Sequence, residues 1–251
     1  MNVIKPSASM RLEPDEKENL ETECLFGESV EILDTHGEWV FCKLLTDNYH
    51  GWIKKDCLGF LKNPTHRVLN LRTNIFSSKD VKSNCIHYLS LGSKIHIHKI
   101  EDDWATIFLS DRHDVKIAYV PNKHIVSIKH KVKDWVTVAE QFIGAPYKWG
   151  GRDSMGIDCS ALIQLSCEAY GKNIPRNTQE QINITNSIVY NLDKLKRGHV
   201  IFWDGHVAVM VDNFNCLHSN AFHMKTIVEP LNDIILRSKQ KYKIIKIVDF
   251  N

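Results

Sequence analysis

The chain has 251 residues, 43% of them apolar, enough for one large domain or two to three small ones with a substantial core. Lysine and arginine (32) nearly balance aspartate and glutamate (30), and no basic block stands out, so nucleic acid is not an expected partner. No run approaches the roughly 18 apolar residues of a membrane span, and the opening MNVIKPSASMRLEPDE lacks an apolar core of signal-peptide length, so a cytoplasmic protein with no membrane partner is expected.

Seven cysteines (Cys24, Cys42, Cys57, Cys85, Cys159, Cys167 and Cys216) are scattered, odd in number and without a CxxC pair. That spacing argues against a disulfide framework or a structural zinc site, and for a reducing compartment with mostly inert, buried thiols.

The first half contains a diverged repeat. LFGESVEILDTHGEWVFCKL places Gly27 12 residues before Trp39, and SLGSKIHIHKIEDDWATIFL places Gly92 12 residues before Trp104, at a common offset of 65. Downstream, HGWIKKDCL in the first copy answers IAYVPNKHI in the second. Alternating apolar residues between Gly, Asp and Asn turns predict short strands in each copy and two antiparallel barrels of about 60 residues. The pattern resembles bacterial SH3-like domains, closely in the first copy. The second carries Ala118-Tyr119 where Gly-Trp is expected.

After KHKVKDW (129–135) the period becomes helical. Asp134 can cap a helix whose Trp135, Val138, Ala139, Phe142 and Ile143 share one face, ended by Gly144. A glycine-rich loop, PYKWGGRDSMGI, leads to a second helix that starts after Asp158 and ends before Gly171. Its apolar residues surround most of the circumference, which predicts a buried central helix. HVIFW, HVAVMV, NCLHS, TIVEPL and YKIIKIV then read as strands, so residues 131–251 are expected to be α+β.

Cys159 falls in the first turn of that second helix. Unpaired backbone N–H groups there can lower a thiol's pKa to roughly 3.5–7.5 from about 8.5, and the same groups point where an acyl-transfer oxyanion would form. His206 opens one strand and His218 sits on the next, so a base and its orienter are available on adjacent strands. A zinc site built from Cys159, His206, Cys216 and His218 is the alternative use of the same residues.

PYKWGG, DCSALI, IPRNTQEQ, KRGHVIFW, GHVAVMV and LHSN occur in the order, and at about the spacing, of the NlpC-type peptidoglycan peptidases. The resemblance implies a papain-like α+β catalytic domain over 131–251, behind SH3-like barrels over 1–62 and 63–130. It implies a cysteine peptidase without metal or cofactor, with Cys159 as nucleophile, His206 as general base and His218 as its orienter. With the SH3-like domains in front, the chain is similar to the γ-D-glutamyl-L-diamino acid endopeptidases of murein recycling. Their substrate is a stem peptide, L-Ala-γ-D-Glu-diamino acid. In that subgroup Tyr147 lines the pocket and Asp158 and Ser160 hold the free amine of L-alanine, with Glu13 and Tyr49 the matching positions of the first SH3-like domain. Two positions depart from the pattern: Ala161 stands where glycine follows DCS, and His199 where aspartate is usual. The competing expectations are a non-catalytic wall-binding protein, a hydrolase of intact sacculi and an acyltransferase of the same superfamily. The Cys, His, His order argues against the last.

Overall fold

The computed structural model describes residues 1–110, 112, 116–184, 188–189, 191–238 and 243–250, with the side chain of Ser238 excepted. Tyr242, in the last expected strand, lies outside them. Contacts divide the chain into a first unit, Met1–Lys131 with Arg152–Ser154, and a second, Val132–Gly151 with Met155–Asn251.

In the first unit, β1 (Ser7–Arg11), β2 (Leu20–Leu25), β3 (Val30–His36), β4 (Trp39–Leu44) and β5 (His50–Lys54) form a sheet of order β2-β1-β5-β4-β3. A second sheet of β6 (Arg72–Phe76), β7 (Cys85–Ser90), β8 (Ile97–Glu101), β9 (Trp104–Phe108) and β10 (Ile117–Pro121) has the order β7-β6-β10-β9-β8. The orders are the same, and so is the register. Cys42 faces Gly51 and Phe41 faces Trp52 in the first sheet, while Ile107 faces Ala118 and Thr106 faces Tyr119 in the second. Ala118-Tyr119 therefore occupies the place of Gly51-Trp52. Each sheet buries alternate residues in its own cluster: Ala8, Met10, Val40, Cys42 and Ile53 in one, Ile75, Leu89, Ala105, Ile107 and Val120 in the other. The repeated glycines share a backbone need, with φ of 81° at Gly27 and 89° at Gly92. A Cβ on Gly27 would lie 1.8 Å from the Lys94 carbonyl oxygen, so a side chain is excluded there by space as well as by φ.

Arg152 is fully buried in the first unit. Its guanidinium forks onto Glu28 at 2.9 and 3.1 Å and reaches the Glu23 carbonyl at 2.9 Å, while its backbone N–H donates to the Glu23 carboxylate at 3.0 Å. Burial by itself would raise the Glu28 carboxyl, but Arg152 and Lys94 hold it below its ordinary range.

In the second unit, α1 (Val136–Glu140) is shorter than the periodicity predicts. Asp134 accepts the Val136 N–H at 2.9 Å, as a cap should. After Glu140 the chain turns through Gly144 (φ 87°), whose N–H donates to Thr226, and Ile143 is left exposed. The central helix α2 (Cys159–Tyr170) buries ten of its twelve residues, as an all-round apolar helix must. Gly171 at φ 89° closes it, with the Lys172 N–H returning to the Cys167 carbonyl. A one-turn α3 (Thr178–Gln181) follows. The antiparallel sheet of β11 (His199–Trp203), β12 (His206–Met210), β13 (Asn215–Asn220), β14 (Lys225–Pro230) and β15 (Ile244–Asp249) has the order β14-β13-β12-β11-β15. A further helix, α4 (Leu231–Ser238), packs Leu231 and Ile234 against Trp203, Ala208, Met210 and Cys216. Among the described residues no helix is long and apolar enough to cross a membrane.

Arg152→Met should destabilise the protein by about 3–5 kcal/mol in urea unfolding, because it leaves the Glu28 carboxylate buried without its cation. The double replacement Glu28→Met/Arg152→Met should recover most of that loss. Equal losses in single and double variants would mean that packing, not charge, sets the cost.

Candidate active site

Asp158 has extended backbone and caps α2. Its Oδ1 accepts the Ala161 N–H at 2.8 Å, the Ser160 hydroxyl at 3.2 Å and Arg176 Nη1 at 3.0 Å. Its Oδ2 accepts the Gly150 N–H at 3.0 Å and Arg176 Nη2 at 2.5 Å. Arg176 also donates to Ser160 Oγ at 2.8 Å, and Gln181 of α3 donates to the Ser160 carbonyl at 3.0 Å. These bonds fix the first turn of α2 and hence the position of Cys159. The methyl of Ala161 is fully buried and does not disturb the cap.

Cys159 is 7% exposed, and the backbone N–H groups of Val207 and Ser160 favour its thiolate. The nucleophile therefore lies against the first residues of β12, the strand that His206 opens. Tyr147 sits beside Cys159 and Asp158, anchored by its N–H to the Met224 carbonyl at 3.0 Å. Burial first, then those two neighbours, push its hydroxyl up to about 12. It is a protonated donor at neutral pH.

The expected lowering of the Cys159 pKa is not found. Burial and then the Asp158 carboxylate push the thiol up to about 12, against the weaker opposing pull of the backbone N–H groups and Arg176. Helix-start N–H groups stabilise a thiolate, but the loss of water costs it more. His206 moves the other way: burial in the pocket wall, His218 and Arg237 hold its imidazole well below the usual range. At neutral pH the resting pair is thus a neutral thiol and a neutral imidazole.

His206 Nε2 lies 2.8 Å from His218 Nδ1, and His218 Nε2 lies 2.7 Å from Glu229 Oε1. Arg237 of α4 forks onto Glu229 at 2.7 and 3.0 Å, and His223 reaches the same carboxylate at 3.3 Å. Burial opposes ionisation of Glu229, but the hydrogen bonds from Arg237 and His218 bring its carboxyl down to about 2. Tyr147, Trp203, His206, His218, Phe222 and Arg237 are among the residues lining a cavity of about 340 Å³.

Six of the residues singled out in the sequence therefore meet in the second unit: Cys159, His206, His218, Tyr147, Asp158 and Ser160. Glu13 and Tyr49 belong to the first unit, where Glu13 is exposed and the Tyr49 hydroxyl donates to Glu21 at 3.1 Å. Sequence reasoning missed Arg176, Glu229 and Arg237. Arg176 lies in IPRNTQEQ, and a charged residue inside the apolar strand TIVEPL was the available signal for Glu229. His199 is buried 3.7 Å from Asp249 on β15 and accepts the Lys196 N–H, a structural role at the far end of β11. Cys216 packs into the apolar cluster with its thiol against Met210. Among the described residues no group of three or more His, Cys, Asp or Glu is placed to hold a metal ion.

A buried thiol at a helix start, acted on by the backbone of the strand that a neutral imidazole opens, has the groups acyl transfer needs. Residues 144–242 match the NlpC/P60 family, and residues 10–58 match the bacterial dipeptidyl-peptidase SH3 domain. The chain carries an NlpC/P60 domain C-terminal to a bacterial SH3 domain. It is a hydrolase of that cysteine peptidase class, with a papain-like fold and an N-terminal SH3-like domain. It is 23% identical to a γ-D-glutamyl-L-lysine dipeptidyl-peptidase of Bacillus cereus, over 85% of this chain and 71% of that protein. A protein of the same name from Bacillus subtilis is 26% identical over 80% of this chain and 72% of its own length. The crystal structure of an NlpC/P60 family protein from Bacillus cereus superposes with a TM-score of 0.83 at 18% identity, covering 99% of this chain and 98% of that one.

The histidine pair has a consequence for stability. A histidine whose folded-state pKa lies below its unfolded 6.5 contributes stability that is present above about pH 6.5 and lost as the pH falls below it. The melting temperature should therefore fall between pH 7.5 and 5. Glu229 titrates lower, between its ordinary 4.5 and about 2, outside that window. His66, His124 and His199 are shifted in the same direction as His206, so the difference between wild type and His206→Asn isolates its share. The variant should show the shallower slope; parallel slopes would mean that His206 titrates normally.

Proposed function

We propose that this chain hydrolyses the bond between D-glutamate and the diamino acid of peptidoglycan stem peptides that carry a free N-terminal L-alanine, as murein peptide recycling requires. The arrangement that carries the reading is the thiol at the start of α2, set against the strand opened by His206, with His218 2.8 Å behind. The names of the relatives support the finer substrate assignment, since a dipeptidyl-peptidase releases dipeptides from a free amino end. The reading includes two SH3-like barrels over 1–62 and 63–130 and a catalytic domain over 131–251, supported by the common strand order of the two sheets.

In the proposed reaction, Cys159 Sγ attacks the γ-carbonyl carbon of D-glutamate as its proton passes to His206. The oxyanion forms at the start of α2, where the positive end of the helix stabilises it. Collapse breaks the C–N bond, and His206 returns the proton to the leaving amine of the diamino acid. Water, deprotonated by His206, then hydrolyses the thioester and frees the dipeptide. Tyr147, Asp158 and Ser160 line the alanine end.

Cys159→Ala should abolish release of the diamino acid, read by mass spectrometry, with the fold retained. His206→Ala should cost nearly as much, because nucleophile and base act as a unit, and His218→Ala less. Cleavage by Cys159→Ala at wild-type rates would overturn the mechanism.

The amine requirement has its own test. Arg176 keeps Asp158 paired whether or not substrate is bound, so acetylating the alanine amine removes hydrogen bonds to a charged group without orphaning the carboxylate. Such bonds are worth about 1.5–3 kcal/mol, which is roughly 10- to 150-fold in kcat/KM for the free over the N-acetylated tripeptide. Equal rates, together with release of peptides from intact sacculi, would favour a wall-degrading enzyme.

A further inference from the structure

We propose that Glu229 is a positioning residue that sets the tautomers of both active-site histidines, leaving the lone pair of His206 on Nδ1. The inference rests on the peptidase reading of the site and deepens it, because it says how the base is kept ready. The hydrogen bonds run from α4 through Glu229 to the two histidines. Arg237 forks onto both oxygens of Glu229, and His223 lies 3.3 Å from one of them. An ionised carboxylate can only accept hydrogen bonds. Glu229 Oε1 is 2.7 Å from His218 Nε2, so that nitrogen carries the hydrogen. A neutral imidazole has one N–H, which leaves the lone pair of His218 on Nδ1. His218 Nδ1 is 2.8 Å from His206 Nε2, so His206 must donate there. The remaining nitrogen of His206, Nδ1, is then bare.

Without the carboxylate nothing fixes this order. The Asn220 amide nitrogen lies 3.0 Å from His218 Nε2 and would donate to it if that nitrogen were unprotonated. The hydrogen of His218 would then sit on Nδ1, facing His206, and His206 would have to accept. Its own hydrogen would move to Nδ1, where a base needs a lone pair. One carboxylate thus decides whether a ring it does not touch can act as base. The charged and titratable groups around the relay are His206 on β12, Glu229 on β14, Arg237 on α4 and His223 in the β13–β14 turn.

The test uses the whole protein. Long-range proton–nitrogen NMR of the resting enzyme should show both His206 and His218 protonated on Nε2. Glu229→Gln, whose amide can donate to His218, should shift both toward Nδ1–H. A wrong tautomer one ring from the nucleophile costs a serine triad about 10⁴ in kcat, so a loss of roughly 10²- to 10⁴-fold in kcat is expected here, with KM nearly unchanged. Glu229→Asp should recover part of it. In a His218→Asn background the amide can turn either end toward His206, and adding Glu229→Gln should change kcat by no more than about twofold. Nδ1–H on His218 in the wild type, full activity in Glu229→Gln, or the same large loss in both backgrounds would each overturn the proposal. Tautomers are read without turnover, so their result stands apart from any failure of the substrate assignment.

Discussion

The placement of the nucleophile depends on how one buried carboxylate, Asp158, is satisfied. A charge removed from water must find partners for its lone pairs or give up its ionisation. Asp158 accepts from the N–H groups of Ala161 and Gly150, from the Ser160 hydroxyl and from both terminal nitrogens of Arg176. The same five bonds cap α2, anchor the glycine-rich loop at Gly150 and draw in the segment carrying Arg176. Cys159 is the next residue after this clamp, so its sulfur is placed by the cap rather than by contacts of its own.

The clamp also shapes the electrostatics around the nucleophile. The Asp158 charge next to Cys159 works against the thiolate, and Arg176 and the helix-start N–H groups offset only part of it. Across the site, the same burial that keeps the proton on sulfur keeps one off His206. The two shifts favour the same neutral pair, and proton transfer belongs to the attack on the carbonyl. An imidazolium formed at that moment faces His218, with the Glu229 carboxylate one ring further on. Glu229 therefore compensates a charge that exists only during reaction, the condition under which an interaction raises kcat rather than merely binding.

The repeat was legible because its markers are backbone requirements: Gly27 and Gly92 hold positive φ, and Trp39 and Trp104 follow matching turns. The central helix was legible because Asp158 and Gly171 are a cap and a stop with an apolar run between them. The length of α1 was not. The period continues to Ile143, but the Gly144 N–H is taken by Thr226 of β14, and tertiary pairing ends the helix early. The α4 helix left a signal that went unread: Pro230 directly before it, then Leu231 and Ile234 at helical spacing. Glu229 was unreadable for another reason. It lies opposite Cys216 and diagonal to His218, and that neighbourhood exists only once β13 and β14 are paired in one register. The direction of the Cys159 pKa shift was equally hidden, because helix position is local and desolvation is not.

The expectation that Asp158 holds the substrate amine changes meaning once its partners are counted. A carboxylate offers about four lone-pair sites, and Asp158 already takes five hydrogen bonds, two of them from a guanidinium. An ammonium arriving there meets an internally neutral pair, not a waiting anion. Ser160 has room: its hydroxyl donates to Asp158 and accepts from Arg176, which leaves one of its two lone pairs for a new donor. Recognition of a free alanine amine in this unit would rest on that lone pair and on the phenolic oxygen of Tyr147, with Asp158 keeping Ser160 correctly turned. Preference for a charged amine is then a matter of hydrogen-bond geometry more than of net charge. A neutral but equally small donor at the same position should be tolerated better than an acetyl group that fills the space and donates only one hydrogen.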